Sequence, residues 1–336
     1  MTIENHKSRD WKRIIPGLVI SIGALVVVFY FADFGELLGA LQLADYKLVA
    51  LASAMSLLWL LIRAQAWRTL LREQAGFSQV FWTVNEGYLL NNLLPFRLGE
   101  IGRAFLLSRK ADLGFWEVFS SILIERVLDL GFAVGLVLVT LPLVVGASWA
   151  LEAALGAGIL VLVGFLTLYL LVKNRSWAIV GFDKLSNKIT ILKKFGRERV
   201  EAFFNGLSIL TEGNRFLIAI LWIALDWGLA LMQYYVLLRA FFPDAELLWA
   251  AFALGIAALG IAAPSSPGGV GVFELAVVGA LSVFGLDPSI SLAYAITTHL
   301  IQFLTTGVLG AFGFLRDGES LLDIYRQARQ MPQSPQ

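Results

Sequence analysis

The chain contains no cysteine among its 336 residues. This absence excludes a disulfide framework, a metal site built on thiolates and a cysteine nucleophile. Charge is scarce as well, because Asp, Glu, Lys and Arg make up only 15% of the residues, whereas soluble proteins carry about 25%. These two shortages point away from a secreted disulfide scaffold and from an ordinary soluble domain.

Apolar residues take the place of the missing charge. They form 58% of the chain, with 24 Phe and 10 Trp. Several stretches exceed the roughly 18 to 20 apolar residues that cross a bilayer core of about 30 Å. The net charge of +1 says nothing about an acidic partner, because charge in a membrane protein is informative by location and not by sum. We expect no nucleic-acid partner for a chain of this composition. The sequence predicts an all-α polytopic membrane protein, with residues 1–336 in a single integral membrane domain.

Six apolar runs are long enough to cross the bilayer. The first of them follows basic residues but is too long for the core of a signal peptide, so we interpret it as a retained span. Two further runs, about 79–110 and 247–284, are interrupted by Pro and Gly and are predicted to form re-entrant helical hairpins. The six predicted spans are about 14–31, 47–66, 118–141, 151–172, 216–239 and 288–314.

Basic residues mark one side of the membrane. Lys and Arg concentrate in both terminal tails, in the turn with Arg68 and Arg72, and in the segment 173–215. The opposite loops carry acidic residues such as Asp33 and Asp244. The positive-inside rule therefore predicts that both termini are cytoplasmic. The spans alternate correctly only if each hairpin enters and leaves on one side.

On this scheme the two parts of the chain are inverted copies of each other. Pro95 and Pro267 lie 172 residues apart (267 − 95), and each is followed by Gly and Glu. We predict a first half of about 1–172, a cytoplasmic amphipathic connector of about 173–214 and a second half of about 215–318. Inverted repeats with broken helices are typical of secondary transporters. A chance coincidence of two Pro-Gly kinks is the alternative.

The connector has helical amphipathicity, because apolar residues between 182 and 210 recur at spacings of three and four. We predict a helix on the anionic inner leaflet, either recruiting an anionic lipid or resting on the membrane as a loop helix. The basic residues around its apolar stripe are Lys184, Lys188, Lys193, Lys194, Arg197 and Arg199.

Ionisable residues cluster in the first hairpin and the span after it. Each costs about 2.5 to 3.5 kcal/mol at the bilayer centre, so such groups pair or face an aqueous cavity. Glu125 and Asp129 share one helix face, and the spacing predicts that Arg126 pairs with Asp129 and Glu100 with Arg103. The cluster either holds a phosphate headgroup or locks the hairpin to its neighbour. The candidate substrate-binding residues here are Asn91, Asn92, Arg97, Arg103 and Arg126.

The second hairpin is broken by two prolines and three glycines within eight residues. Backbone that opens at membrane depth must be buried in protein or line a cavity. Ser266, Gly268 and Gly269 are therefore further substrate-binding candidates. A helix restarting near Gly271 would direct its amides at this opening, as an anion site does. Glu274 in its first turn either caps those amides or carries protons.

The last span presents a polar stripe. His299 beside it either couples transport to protons or packs as a hydrogen-bonded residue. Asp226 in the span 216–239 has the same two interpretations. Gln302, within the stripe, is a substrate-binding candidate. The stripe consists of Tyr294, Thr298, Gln302 and Thr305.

Enzyme signatures are missing from the sequence. It contains no Gly-x-Ser-x-Gly elbow, no His-Glu-x-x-His motif and no phosphate-binding loop. We therefore expect no catalytic residue, no metal and no cofactor, and a transporter is favoured over an enzyme.

Three motifs resemble the lysylphosphatidylglycerol synthetase transmembrane-region family of flippase-like membrane proteins. They are residues 91–103 (NNLLPFRLGEIGR), 125–129 (ERVLD) and 264–274 (PSSPGGVGVFE), and the resemblance covers nearly the whole chain. In the family's namesake this region is joined to a soluble aminoacyl transferase domain, which is not found before the sequence ends at residue 336. The resemblance implies lipid translocation rather than lysyl transfer.

These observations favour a lipid flippase in a bacterial or archaeal cytoplasmic membrane, moving a polar or anionic glycolipid, phospholipid or polyprenyl lipid. The arginines would hold the headgroup. One alternative is an integral-membrane transferase that acts on a lipid headgroup. Another is a non-transporting membrane subunit that binds lipid-biosynthesis enzymes. The groups that would organise the arginines or carry protons are Glu100, Glu125, Asp129, Glu274 and His299.

Overall fold

A computed structural model describes residues 19–94, 97–146, 148–188, 196–262 and 266–318. These residues form helices and turns, which confirms the all-α polytopic fold. The helices, numbered α1 to α13, are Val19–Phe31, Phe34–Leu43, Tyr46–Leu70, Phe77–Leu93, Leu98–Lys110, Phe115–Val145, Ser148–Lys173, Arg175–Lys188, Arg197–Leu207, Gly213–Phe241, Leu247–Ala262, Val272–Ser282 and Pro288–Asp317. Short 3-10 turns cover Ser208–Thr211 and Pro267–Gly269.

Among the residues that the structure describes, five helices are long and apolar enough to cross a membrane: α3, α6, α7, α10 and α13. Each contains one of the predicted spans. The remaining predicted span, 14–31, begins outside the described residues and corresponds in its described part to α1. Helix α2 follows α1 at a bend of 85°. The Asp33 carboxylate causes this restart, because it caps α2 by accepting the amide hydrogens of Gly35 and Glu36.

The first broken run folds as two antiparallel helices, α4 and α5, with the break at residues 95–96 outside the described ranges. Their backbones approach so closely that a Cβ added at Gly99 would overlap the carbonyl oxygen of Gly87. The Asn91 side chain joins the two helices, because its Oδ1 accepts the Gly99 amide hydrogen at 2.9 Å. Glycine therefore permits this hairpin to close.

The second broken run folds as α11 and α12. Residues 263–265, which include Pro264, lie outside the described ranges, and the 3-10 turn Pro267–Gly269 leads into α12. The helices contact where Gly260 faces Ala276. Gly268, Gly269 and Gly271 all have positive φ, between 68° and 89°, which explains the glycines in this turn.

The long helices pack pairwise. The most extensive packing joins α3 to α10, and α13 packs on α4 while α11 packs on α6. One apolar core around Trp67, Leu107 and Ile223 joins α3, α5, α6 and α10 to α9. A second core around Leu237 and Tyr294 joins α10 to α11, α12 and α13.

The described part of the connector contains two helices, α8 and α9, and residues 189–195 between them lie outside the described ranges. Gly206 on α9 touches α6 so closely that a Cβ there would overlap Ser120 and the Glu117 carbonyl oxygen. Leu207 is buried beside it. The amphipathic face of α9 is therefore covered by protein, and not only by the membrane surface that the pattern indicated.

We expect Gly99→Ala to destabilise the protein by about 1–3 kcal/mol, because the new methyl group has no space in the hairpin. The matched control is Gly279→Ala on α12, where nothing lies within 4 Å of the added Cβ and the helix gains propensity. Thermal unfolding in detergent measures both. An unchanged unfolding temperature for Gly99→Ala would contradict the close approach of α4 and α5.

Candidate functional site

Arg63 stands at the centre of a charged cluster inside the membrane-spanning bundle. It lies on α3, and its side chain is only 3% exposed. Its guanidinium donates to Glu125 at 2.6 Å and to both oxygens of Asp129 at 2.5 and 2.8 Å, all on α6. It also donates to Asp226 on α10 at 3.1 Å. One arginine therefore connects three helices.

Arg103 brings the first hairpin into the same cluster. Its Nη2 donates to Glu125 Oε2 at 2.6 Å, so both carboxylate oxygens of Glu125 are bonded. The Arg103 guanidinium also lies 4.0 Å from the centre of the Trp67 ring, a cation–π contact. Trp67 is held in turn by the hydrogen bond from its Nε1 to Ser121 at 3.0 Å.

Arg126 lies where the cluster meets the surface. It donates to Glu125 at 2.5 Å and reaches Asp129 at 3.3 Å and Glu100 at 3.4 Å. Its side chain is 26% exposed, that of Glu100 is 22% exposed and that of Arg97 is 39% exposed. Arg97 lies 3.9 Å from Glu100. We call Arg97, Glu100 and Arg126 the open edge of the cluster.

The cluster behind this edge is electrically balanced. Three arginines face three carboxylates, and buried charges are tolerated in apolar surroundings only with such pairing. Removing any one partner leaves another buried charge without compensation. The six residues that we call the charged cluster are Arg63, Arg103, Arg126, Glu125, Asp129 and Asp226.

A second polar site lies at the break between α11 and α12. Glu274 Oε1 lies 2.6 Å from His299 Nδ1, and His299 Nε2 lies 3.0 Å from the carbonyl oxygen of Gly268. The other oxygen of Glu274 accepts the Gly271 amide hydrogen at 2.6 Å, which confirms the predicted capping contact. The Phe303 ring leaves no room for a Cβ at Gly268. Two side chains therefore hold the backbone of this turn.

The two sites are linked through the first hairpin. Arg97 Nη2 donates to the carbonyl oxygen of Ile261 at the end of α11, at 3.1 Å. Asn92 donates to Thr306 on α13 at 3.1 Å. Arg97 also has a positive φ of 53°, a strained conformation for a side-chain-bearing residue that is common at functional sites.

Sequence spacing predicted some of these contacts correctly. The Arg126–Asp129 pair forms, but the Glu100–Arg103 pairing is wrong, because Arg103 binds Glu125 on the next helix. Three further predicted residues have hydrogen-bond partners within the protein. Asn91 accepts from Gly99, the Ser266 amide donates to Ser21, and the carbonyl oxygen of Gln302 accepts from Thr306.

Arg63 was missed by the sequence reasoning. A signal was available, because an arginine within the predicted span 47–66 needs a buried partner. Asp226, weighed only as a packing or proton-coupling residue, is that partner from α10. Trp227, next to Asp226 on α10, also binds the cluster, because its Nε1 donates to Asp129 at 3.1 Å.

These features define a class of protein: a polytopic α-helical membrane protein with a charge-balanced cluster and a broken hairpin at its centre. The chain belongs to the family described as the lysylphosphatidylglycerol synthase TM region, whose model matches residues 14–310. It is also 26% identical over 327 residues to a UPF0104 membrane protein from Methanothermobacter thermautotrophicus (strain Delta H), covering 90% of this chain and 95% of that protein. No solved structure matches the chain.

We expect Arg63→Met to lower stability by about 3–5 kcal/mol, because it removes one partner of several buried carboxylates. The control is Arg197→Met, since Arg197 is 63% exposed and forms surface pairs with Asp183 and Glu201. That change should have little effect. Equal unfolding temperatures for the two variants in detergent would show that Arg63 is not the centre of the bundle.

Proposed function

We propose that this protein moves a lipid with an anionic headgroup across the membrane. The open edge is the observation that carries the proposal. Arg97 and Arg126 are both partly exposed, and Arg126 connects this edge to the buried carboxylates of the charged cluster. Arginine binds phosphate through two parallel hydrogen bonds, and it does so more strongly where water is partly excluded. A phosphate headgroup therefore fits this edge.

The carboxylates of the charged cluster orient Arg126 before such a ligand binds. Glu125 and Asp129 hold the Arg126 guanidinium from one side, so little conformational entropy is lost when an anion binds from the other. Arg97 has a longer carboxylate contact, 3.9 Å to Glu100. Arg97 can therefore turn to an incoming anion with little loss of ion pairing.

An inverted repeat of the two hairpins is part of this proposal. The packing supports it, because α3 packs on α10 and the cross-contacts match: α4 with α13, and α11 with α6. Glu100 and Glu274 each occupy the third residue of the helix after a break. In transporters built from inverted repeats, substrates bind between the repeats near the midplane. The contact of Arg97 with the Ile261 carbonyl oxygen joins the two hairpins and supports a site between them.

The family and its name agree with a lipid-related role. The matched family model is named for a transmembrane region of a lysylphosphatidylglycerol synthase, a protein named for a phospholipid. We further propose that the chain lies in a bacterial or archaeal cytoplasmic membrane with both termini in the cytoplasm, as the distribution of Lys and Arg favours.

Cysteine labelling tests this orientation, because the chain has no cysteine of its own. Glu246 before α11 and Glu73 after α3 are both exposed. A membrane-impermeant thiol reagent should label Glu246→Cys in intact cells and Glu73→Cys only after permeabilisation. The reverse pattern would invert the proposed topology.

Lipid exchange in proteoliposomes tests the function. Purified protein should speed the transfer of a headgroup-labelled anionic phospholipid between leaflets. We expect Arg126→Gln to slow it by roughly tenfold to a hundredfold, the equivalent of a charge-assisted hydrogen bond of about 1.5–3 kcal/mol. Arg97→Gln should slow it less, and its fold is safer because Arg97 lies outside the charged cluster. Arg197→Gln serves as the exposed control.

Two results would contradict the proposal. One is an exchange rate equal to that of protein-free liposomes while the protein remains folded. The other is equal exchange of anionic and zwitterionic lipids that neither open-edge variant reduces, because the arginines would then have no role in recognising the headgroup.

A further inference from the structure

The hydrogen bonds of His299 require that it share a proton with Glu274. The carbonyl oxygen of Gly268 can only accept, so Nε2, 3.0 Å away, carries a hydrogen. An ionised Glu274 carboxylate can also only accept, yet its Oε1 lies 2.6 Å from Nδ1. A neutral imidazole with hydrogen on Nε2 and an ionised carboxylate would place two acceptors against each other. One further proton therefore lies between Nδ1 and Oε1.

Glu274 and His299 are buried beside aromatic rings, so the proton is shared within the pair. The Glu274 side chain is 8% exposed and that of His299 is 10% exposed, and the Phe273 and Phe303 rings lie 4.6 and 4.9 Å from the imidazole. Helix α11 carries no ionisable side chain. Ionisable groups on other elements packed against α12 and α13 have partners elsewhere: Glu36 with Ser289, Glu86 with Lys110, Asp226 with Arg63, and Arg97 with the Ile261 carbonyl oxygen.

The shared proton fixes the backbone of the break. His299 holds the Gly268 carbonyl group, and Glu274 holds the Gly271 amide group. On the other side, Ser21 of α1 accepts the Ser266 amide hydrogen at 2.9 Å. Without the proton the pair would carry a buried negative charge and lose its shortest hydrogen bond, so its hold on the turn would weaken.

We infer that Glu274 and His299 form a proton-binding site that latches the turn 266–271 before α12, closed when the proton is bound and released when it leaves. The latch deepens the proposed function and rests on it in one respect: it makes the proton the coupling ion of lipid movement. The latch itself stands on the geometry of the pair.

The reactivity of a single cysteine reports the state of the latch. Val270 lies in the turn with its side chain 39% exposed, and Val283 beyond the end of α12 is 51% exposed. Every cysteine thiol reacts faster as it ionises with rising pH. Dividing the labelling rate at Val270→Cys by that at Val283→Cys removes this common effect. We expect this ratio to rise several-fold between about pH 5 and about pH 8, because the shared proton leaves the pair as the pH rises.

Glu274→Gln provides a matched variant. The Gln amide nitrogen can donate to Nδ1 and its oxygen can accept from Gly271, which reproduces the protonated pair without a proton that can leave. The labelling ratio in this variant should stay at its low-pH value throughout. In His299→Leu it should stay high at every pH. No pH dependence in the wild-type background, or the same dependence in Glu274→Gln, would overturn the latch.

Lipid exchange under an imposed pH gradient separates the latch from the proposed function. A gradient should accelerate exchange in the wild type and have no effect on Glu274→Gln. A pH-dependent labelling ratio without any lipid exchange would uphold the latch and contradict lipid translocation. Lipid exchange with a labelling ratio that is independent of pH would support translocation and contradict the latch.

Discussion

The arrangement of the bundle depends on one constraint: the buried positive charge of Arg63 must be compensated. An arginine within an apolar helix is tolerated only when its positive charge is compensated by carboxylates. The matching groups come from α6 and α10, so these helices are fixed relative to α3. Glu125 then requires Arg103, which brings in α5 and the first hairpin. A single buried charge thus determines how four helices are arranged.

The two helix breaks impose a second constraint. Backbone amides and carbonyl groups that leave a helix at membrane depth need partners from the protein, because lipid offers none. Asn91 supplies one at the first break. Glu274, His299 and Ser21 supply them at the second. Side chains near both breaks are therefore committed to the fold before any ligand binds.

Local physics explains which features the sequence predicted. Bilayer thickness determines the length of an apolar run, and Pro and Gly interrupt a helix wherever they stand, so the long helices and both breaks were predictable. The pairing of charges was not. Arg63 and Asp226 are 163 residues apart, and only packing decides that they meet. The same limit explains the wrong partner chosen for Arg103, since spacing along one helix says nothing about the helix beside it.

The two hairpins are tied to the following spans by links of different chemistry. In the first, Arg103 binds Glu125, and arginine stays charged at every physiological pH, so this link is permanent. In the second, Glu274 binds His299, a pair that depends on one proton. Glu100 and Glu274 begin their helices at matching positions, yet only Glu274 faces a group that can lose a proton. In the proposed inverted repeat the first hairpin is therefore the fixed element and the second is the element that can move.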